Sequence, residues 1–412
     1  MIRCKQQMEL LAPAGSLEKL KWAVIYGADA VYFGPEFGSL RSFAGNFSLD
    51  DAQKGLDFLH ARDRKGYVTL NIYPFSDEYD RLINTAITLD EMGADAFIIS
   101  DPGVLMELKK AGVKAGIHIS TQANTTSYQT VLAYKALGAK RVNLARELSF
   151  EQIKAIQEKV KDKIETEVFI NGAVCFSYSG RCAISDYLAG FRANHGECKH
   201  ACRWKYAVVE ETRPAQYMPV FEDERGLYLF NSKELALFEF VPALKEAGVD
   251  SIKIEGRMKS IHYIATVVSF YRQVLDGRKF TWDQGMNFLN RAPNRGYSTG
   301  FMKGKIDNSD YQRDRSTSQS ESIFVGNVTE EKVNGRCVIE IRNKVHAGEE
   351  LEVLSTDGTL CFITLPSPLI TKDLRQVEFA NHSQFIILEQ ALRPYSILRR
   401  VGRHTSGRPD NK

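Results

Sequence analysis

The stretch "YGADAVYFG" (Tyr26–Gly34) sets the rhythm of the chain, because variants of it return four more times. They are "MGADAFIIS" (Met92–Ser100), "AGVKAGIHIS" (Ala111–Ser120), "LGAKRVNLA" (Leu137–Ala145) and "AGVDSIKIEG" (Ala247–Gly256). Each phrase carries a glycine where a helix should end in a left-handed residue. After two or three connecting residues comes a short apolar run, as expected for a strand buried on both faces. Helical signals fill the intervals. "SLDD" (Ser48–Asp51) and "SFEQ" (Ser149–Gln152) read as capping boxes, and Ile153, Ile156 and Val160 follow at helical spacing.

Strands are expected to begin near Glu9, Ala30, Tyr67, Ala96, Ala115, Arg141, Glu167 and Ser251. Eight strands alternating with helices predict an α/β fold, a (β/α)8 TIM-like barrel over residues 1–275. A doubly wound open sheet is the alternative. No glycine-rich dinucleotide fingerprint follows any strand, which disfavours it. Short β-type runs from "SIFVGNV" onward predict a small all-β barrel over 320–400. Residues 276–319 read as a basic linker containing "GYSTGF", and 401–412 as a disordered tail.

A make-up of 43% hydrophobic and 25% charged residues is that of an ordinary globular protein. The net charge of +3 permits nucleic-acid contact without arguing for it. The first residues lack the apolar core of a signal peptide, and no run approaches a membrane span. The expected compartment is therefore the cytoplasm, where stable disulfides are rare.

Against that background, "VCFSYSGRC" and "CKHAC" gather Cys175, Cys182, Cys198 and Cys202 into 28 residues, inside an insertion at about 173–226. Clustered thiols in a reducing compartment read first as metal ligands. The spacing suits a [4Fe–4S] cluster, with zinc as the alternative. For zinc, His195 and His200 are further possible ligands. The segment lacks the completed three-cysteine motif of radical S-adenosylmethionine enzymes. Arg181, Arg203 and Lys205 with Trp204 give it the basic and aromatic mixture that suits RNA phosphate and base contact.

On a barrel, chemistry gathers at the C-terminal strand ends. The polar residues expected there are Asn71, Ser100, Asp101, His118, Ser120, Gln122, Asn143, Arg146, Asn171, Lys253, Glu255 and Arg257. Gln122, Glu255 and Arg257 are catalytic candidates. Asn71, His118, Arg146 and Lys253 are substrate-binding candidates. For each, the plainer reading is a helix cap or loop hydrogen bond. "GYSTG" matches the G-x-S-x-G nucleophile elbow, but lacks the strand before and the helix after that Ser298 would need.

"MELLAPAGS", "EVFINGAVCFSYSGRCAISDYLAG", "GECKHACRWKY", "FNSKEL", "GVDSIKIEGRMKS" and "NRGYSTGF" together resemble peptidase family U32, the collagenase-like proteases. The resemblance covers nearly the whole chain. It implies two kinds of activity. The family name rests on protease activity of some members. Others are similar to iron–sulfur proteins that assist hydroxylations: of the tRNA wobble uridine to 5-hydroxyuridine with prephenate as an input, of a ribosomal RNA cytidine, or in ubiquinone synthesis. In these the four cysteines hold a [4Fe–4S] cluster, which carries over to Cys175, Cys182, Cys198 and Cys202. Chain length and the β-rich tail point to the tRNA branch. The expected partners are tRNA, a small acidic metabolite and a related U32-family subunit. A collagenase-like peptidase and a non-catalytic subunit of a hydroxylase complex stand as the alternatives.

Overall fold

The structure, a computed structural model, describes residues 7–40, 46–174, 182, 185, 189–198, 221–223, 226–228, 233–304 and 318–402. The chain divides into two compact units. The first comprises Met1–Val24, Ala28–Lys259 and Arg295–Ser318. The second comprises Ile25–Gly27, Ser260–Asn294 and Gln319–Lys412.

Eight parallel strands form the barrel of the first unit: β1 (Glu9–Pro13), β2 (Ala30–Phe33), β3 (Lys65–Leu70), β4 (Ala96–Ile99), β5 (Gly116–Ile119), β6 (Arg141–Asn143), β7 (Glu165–Ala173) and β8 (Ser251–Ile254). Each pairs with the next in sequence. β8 pairs with both β7 and β1, so the sheet closes on itself as the barrel reading requires. Helices stand between successive strands, and their ends follow the sequence signals. Ser48 and Ser149 cap Leu49–His60 and Phe150–Val160, the latter with a complete capping box through Gln152. The glycines of the repeated phrase adopt positive φ, from 75° at Gly112 to 105° at Gly138.

Alternation along the strands separates two environments. One set, including Val31, Phe33, Val68, Phe97, Ile99, Val142, Ile252 and Ile254, is apolar and buried. The alternate set points into the barrel: Glu9 and Leu11, Ala30 and Tyr32, Tyr67 and Thr69, Ala96 and Ile98, His118, Arg141 and Asn143, Glu167 and Phe169, Ser251 and Lys253. Leu11, Ala30, Tyr32, Tyr67, Ala96 and Ile98 pack together as one apolar side of that interior. The remainder, Phe169 apart, is polar, and four of its members, Glu9, Arg141, Glu167 and Lys253, carry charge. A barrel interior is ordinarily filled by bulky aliphatic side chains, so this half is a departure that needs compensation.

In the second unit, an eight-stranded antiparallel sheet runs from Ser322 to Val401. Its core is aliphatic, with Val325, Val328, Ile339, Leu351, Val353, Ile386 and Leu398 buried. The helix Ile261–Leu275, assigned from sequence to the barrel, groups instead with this unit. Within the unit, His262 stacks on Phe324 with ring centroids 5.5 Å apart, and Arg399 Nε donates to Glu352 at 2.6 Å. Among the described residues, no helix is long and apolar enough to cross a membrane.

Candidate functional site at the barrel mouth

The charged half of the interior begins at the base of the barrel. Arg141, at the start of β6, is nearly enclosed. Its guanidinium donates to Glu9 at 2.5 Å, to Glu165 at 2.8 Å and to Glu167 at 3.3 Å. Tyr67 Oη donates to Glu9 at 2.7 Å, and Ser251 Oγ to Glu9 at 3.0 Å. Burial pushes the Glu9 carboxyl upward, but the Arg141 charge and the hydrogen bonds from Arg141, Tyr67 and Ser251 hold it below its ordinary value. His118 sits against this layer, its ring edge-on to Tyr67 at 4.8 Å. Burial and the neighbouring Arg141 and Lys253 charges hold its pKa well below that of a free imidazole, so it is neutral.

Glu167 links this base to the mouth. Its Oε2 faces Arg141, while its Oε1 accepts from Lys253 Nζ and from Asn143 Nδ2, each at 2.9 Å. Lys253 is 4% exposed, with Nζ 4.4 Å from the Tyr32 ring centroid and 5.3 Å from that of Phe169. The enclosed Glu9, Glu167, Arg141 and Lys253 thus balance in charge, the condition for burying ions in a barrel.

Above Lys253 opens a cavity of about 80 Å³, room for several waters or part of a small ligand. Eight of the twelve expected mouth residues line it: Asn71, Ser120, Gln122, Asn143, Arg146, Lys253, Glu255 and Arg257. Arg257 Nη1 donates to Ser39 Oγ at 2.6 Å and to Thr69 Oγ1 at 2.9 Å. Arg146 Nη1 donates to the Ala173 carbonyl at 2.8 Å, with its guanidinium 5.2 Å from the Phe169 ring centroid. Glu255 N donates to Asn171 O at 2.8 Å, fixing the turn after β8. That turn crosses Gly172, whose φ is +107° and whose α-carbon faces the Glu255 carbonyl so closely that a methyl group would lie 2.7 Å from it.

Four expected mouth residues do not line the cavity. His118 shares a strand face with Ser120 but lies one layer deeper, which removes it from the substrate-binding candidates as a cavity contact. Asp101 caps the helix Pro102–Ala111, accepting from Val104 N at 3.0 Å and Tyr79 Oη at 2.7 Å. Ser100 Oγ donates to Asn71 O. Asn171 is buried at the end of β7. For Asp101 and Ser100 the plainer reading holds. Sequence reasoning missed Tyr32, Leu40, Thr69, Ile98, Thr121 and Phe169, which complete the lining. It also missed the Glu9–Arg141–Glu167 support. The signal was present as single charges inside otherwise apolar strands.

The cysteine segment is described only in part. Cys182 and Cys198 are half-buried. Cys175, Cys202, His200, Arg181, Arg203, Trp204 and Lys205 lie outside the described residues. The part from 189 to 198 rests on the loop that follows β3. Tyr73 N donates to Asn194 O at 3.3 Å, the His195 and Phe75 rings pack at a 30° tilt with centroids 4.7 Å apart, and His195 Nδ1 is 3.6 Å from Glu78. Tyr73 in turn donates through Oη to Gln122 O at 2.6 Å. Residues 192–195 are therefore seated at the cavity end of the barrel, against Tyr73, which follows the cavity residue Asn71 by two positions. Ser298 lies in a two-residue strand beside Glu234–Ala236, with Oγ accepting from Gly300 N at 3.2 Å. A short 3₁₀ turn follows at Gly300–Lys303, where a nucleophile elbow requires an α-helix.

With fold and mouth in place, the sequence profile of peptidase family U32 matches residues 15–312, and that of the peptidase family U32 C-terminal domain matches 320–399. The chain belongs to peptidase family U32. It is 36% identical over 399 residues to "tRNA hydroxylation protein P" of Escherichia coli (strain K12), covering 86% of this chain and 87% of the relative. It is 34% identical over 402 residues to "tRNA hydroxylation protein P1" of Bacillus subtilis (strain 168), covering 95% and 94%. It is 29% identical over 412 residues to "Collagenase" of Porphyromonas gingivalis (strain ATCC BAA-308 / W83), covering 94% and 96%. The U32 barrel thus carries relatives named for RNA hydroxylation and for proteolysis at similar coverage.

Proposed function

We propose that this U32 protein is an RNA-modifying enzyme that assists 5-hydroxylation of the tRNA wobble uridine, with prephenate as a small acidic co-substrate. The observation that carries the reading is the placement, at one end of the barrel, of a cationic cavity and of the described stretch 189–198, which ends at Cys198. Arg146, Lys253 and Arg257 around one small cavity suit a compact dicarboxylate, because guanidinium forks match carboxylate geometry. An anticodon-loop base is already unpaired, so presenting it to a barrel mouth costs little. The two tRNA hydroxylation relatives, matched over most of both chains, support the choice of RNA.

Cys175, Cys182, Cys198 and Cys202 would hold the [4Fe–4S] cluster. Thiolates are the fitting donors, and the half-burial of Cys182 and Cys198 suits ligands shielded from bulk water. The cluster would supply redox chemistry at the mouth. The chain's own residues would bind the acid and shape the pocket. The basic and aromatic residues Arg181, Arg203, Trp204 and Lys205 are the proposed RNA contacts, and the cytoplasm is the compartment this function requires.

A peptidase reading draws on the collagenase relative. Against it, the strand and turn around Ser298 are not a nucleophile elbow. The deciding experiment is iron analysis and gelatin cleavage on a single anaerobic preparation. About four irons per chain without gelatin cleavage supports the hydroxylation reading. An iron-free chain that cleaves gelatin overturns it.

A further inference from the structure

We propose that Lys253 is a nucleophile whose ε-amine forms a reversible imine with the carbonyl carbon of a small 2-oxo acid bound in the barrel mouth. The inference rests on reading the mouth as the site of a small acid, and deepens that reading by assigning the covalent step and the substrate class.

Three observations carry it. First, Lys253 lines the cavity with its side chain almost fully buried and its Nζ held between the ring faces of Tyr32, at 4.4 Å, and Phe169, at 5.3 Å. Amines reach the nucleophilic, neutral form most readily in such desolvated places or beside another cation. Arg141 supplies that second cation, on the other oxygen of Glu167. Burial, with Arg141 assisting, outweighs the Glu167 charge and sets the Lys253 pKa below that of an exposed lysine. Second, Arg141 already contacts Glu167 from the base of the barrel, at 3.3 Å. Neutralising Glu167 is therefore not a task that Lys253 performs alone. Third, Arg146 and Arg257 border the same cavity, each oriented by a neutral oxygen acceptor, which presents guanidinium groups beside the amine. A carboxylate clamped there with a carbonyl next to it is a 2-oxo acid. Prephenate carries that group.

The step balances without oxidant or reductant. Glu167 takes a proton from the Lys253 ammonium across their 2.9 Å hydrogen bond. The freed nitrogen lone pair attacks the carbonyl carbon, the C–N bond forms, and a nitrogen proton moves to the carbonyl oxygen. Protonated Glu167 then returns its proton to that hydroxyl, which leaves as water as the C=N bond forms. The products are a protonated imine on Lys253, one water, and Glu167 again as a carboxylate facing the new cation.

The test treats the anaerobically purified full-length chain with prephenate or pyruvate and sodium cyanoborohydride. Intact mass and peptide mapping then locate any adduct. A single reduced adduct on the Lys253 peptide is expected, with none in Lys253→Arg, which keeps a cation but cannot form the imine. Glu167→Gln should slow trapping at least tenfold while circular dichroism stays that of the parent. Titration calorimetry of the same acids without reductant runs alongside. Binding without an adduct, or labelling spread equally over lysines in the parent, overturns the imine and leaves the small-acid reading standing. Neither binding nor labelling overturns both. Should Lys253→Arg fail to fold, the peptide map of the parent decides.

Discussion

Replacing Arg141 with methionine should expose how the barrel tolerates charge in its interior. Arg141 donates to three carboxylates, and with Lys253 it balances Glu9 and Glu167. Glu165 is 24% exposed at the base and can recover water. Glu9 and Glu167, at 12% and 2%, cannot. Methionine keeps most of the volume but leaves one buried negative charge in excess. Removing one partner of a buried pair costs about 3–5 kcal/mol. The pH dependence has a definite sign. In the parent, the Glu9 pKa lies below its ordinary value, so its contribution is full at neutral pH and is lost only in acid. In Arg141→Met the uncompensated Glu9 pKa must rise. Protonation then relieves the excess charge, and the deficit shrinks as the pH falls from 7 toward 5. Urea unfolding followed by circular dichroism gives the loss, and hydrogen exchange of peptides spanning Glu165–Ala173 assigns it to the barrel. The double variant with Glu9→Gln should recover about 1–2 kcal/mol of it, because the two residues are directly coupled. A loss below about 1 kcal/mol at pH 7, or a deficit that grows in acid, refutes the reasoning.

Other expectations follow from single contacts. Burial and the nearby Arg399 lower the His262 pKa from 6.5 to about 3, so the unfolded chain takes up a proton first as pH falls. His262→Phe, which keeps the stack on Phe324, should therefore abolish about 2 kcal/mol of stability loss between pH 7 and 5; an unchanged acid profile in urea titrations contradicts this. Gly34→Ala would put a methyl group 2.1 Å from Arg257 Nη1 and 2.4 Å from Ser39 Oγ. Calorimetry should show prephenate affinity reduced about 10–100-fold with unfolding little changed, the loss of one charge-assisted contact. Gly172→Ala forces a side chain into positive φ against the Glu255 carbonyl, and a cost of at least about 1–3 kcal/mol is expected in urea unfolding; a neutral result would mean that the turn has slack.

Much of this architecture was legible because its signals are local. A glycine, a short link and an apolar run recur, and strands begin at Ala30, Ala96, Arg141 and Ser251 where that phrase places them. The mouth was legible at one remove, since strand ends in a closed barrel converge whatever their separation in sequence. His118 was misjudged by one layer because a four-residue strand places two inward residues at different depths, and periodicity alone cannot say which faces the opening. The interior charges were opaque for a different reason. Glu9, Arg141, Glu167 and Lys253 acquire meaning only when closure brings β1, β6, β7 and β8 together, across more than 240 residues of chain. Gly34 and Ser39, which position Arg257, are likewise unremarkable in sequence and become interpretable only against a side chain 218 residues away from Ser39.

The most direct measurement is mass spectrometry of nucleosides from bulk tRNA in a strain from which every gene of this family has been removed. Supplying this chain should restore 5-hydroxyuridine, and supplying it with Cys182→Ser or Cys198→Ser should not. Failure of the parent chain to restore any 5-hydroxyuridine, despite soluble expression and intact prephenate synthesis, would contradict the account.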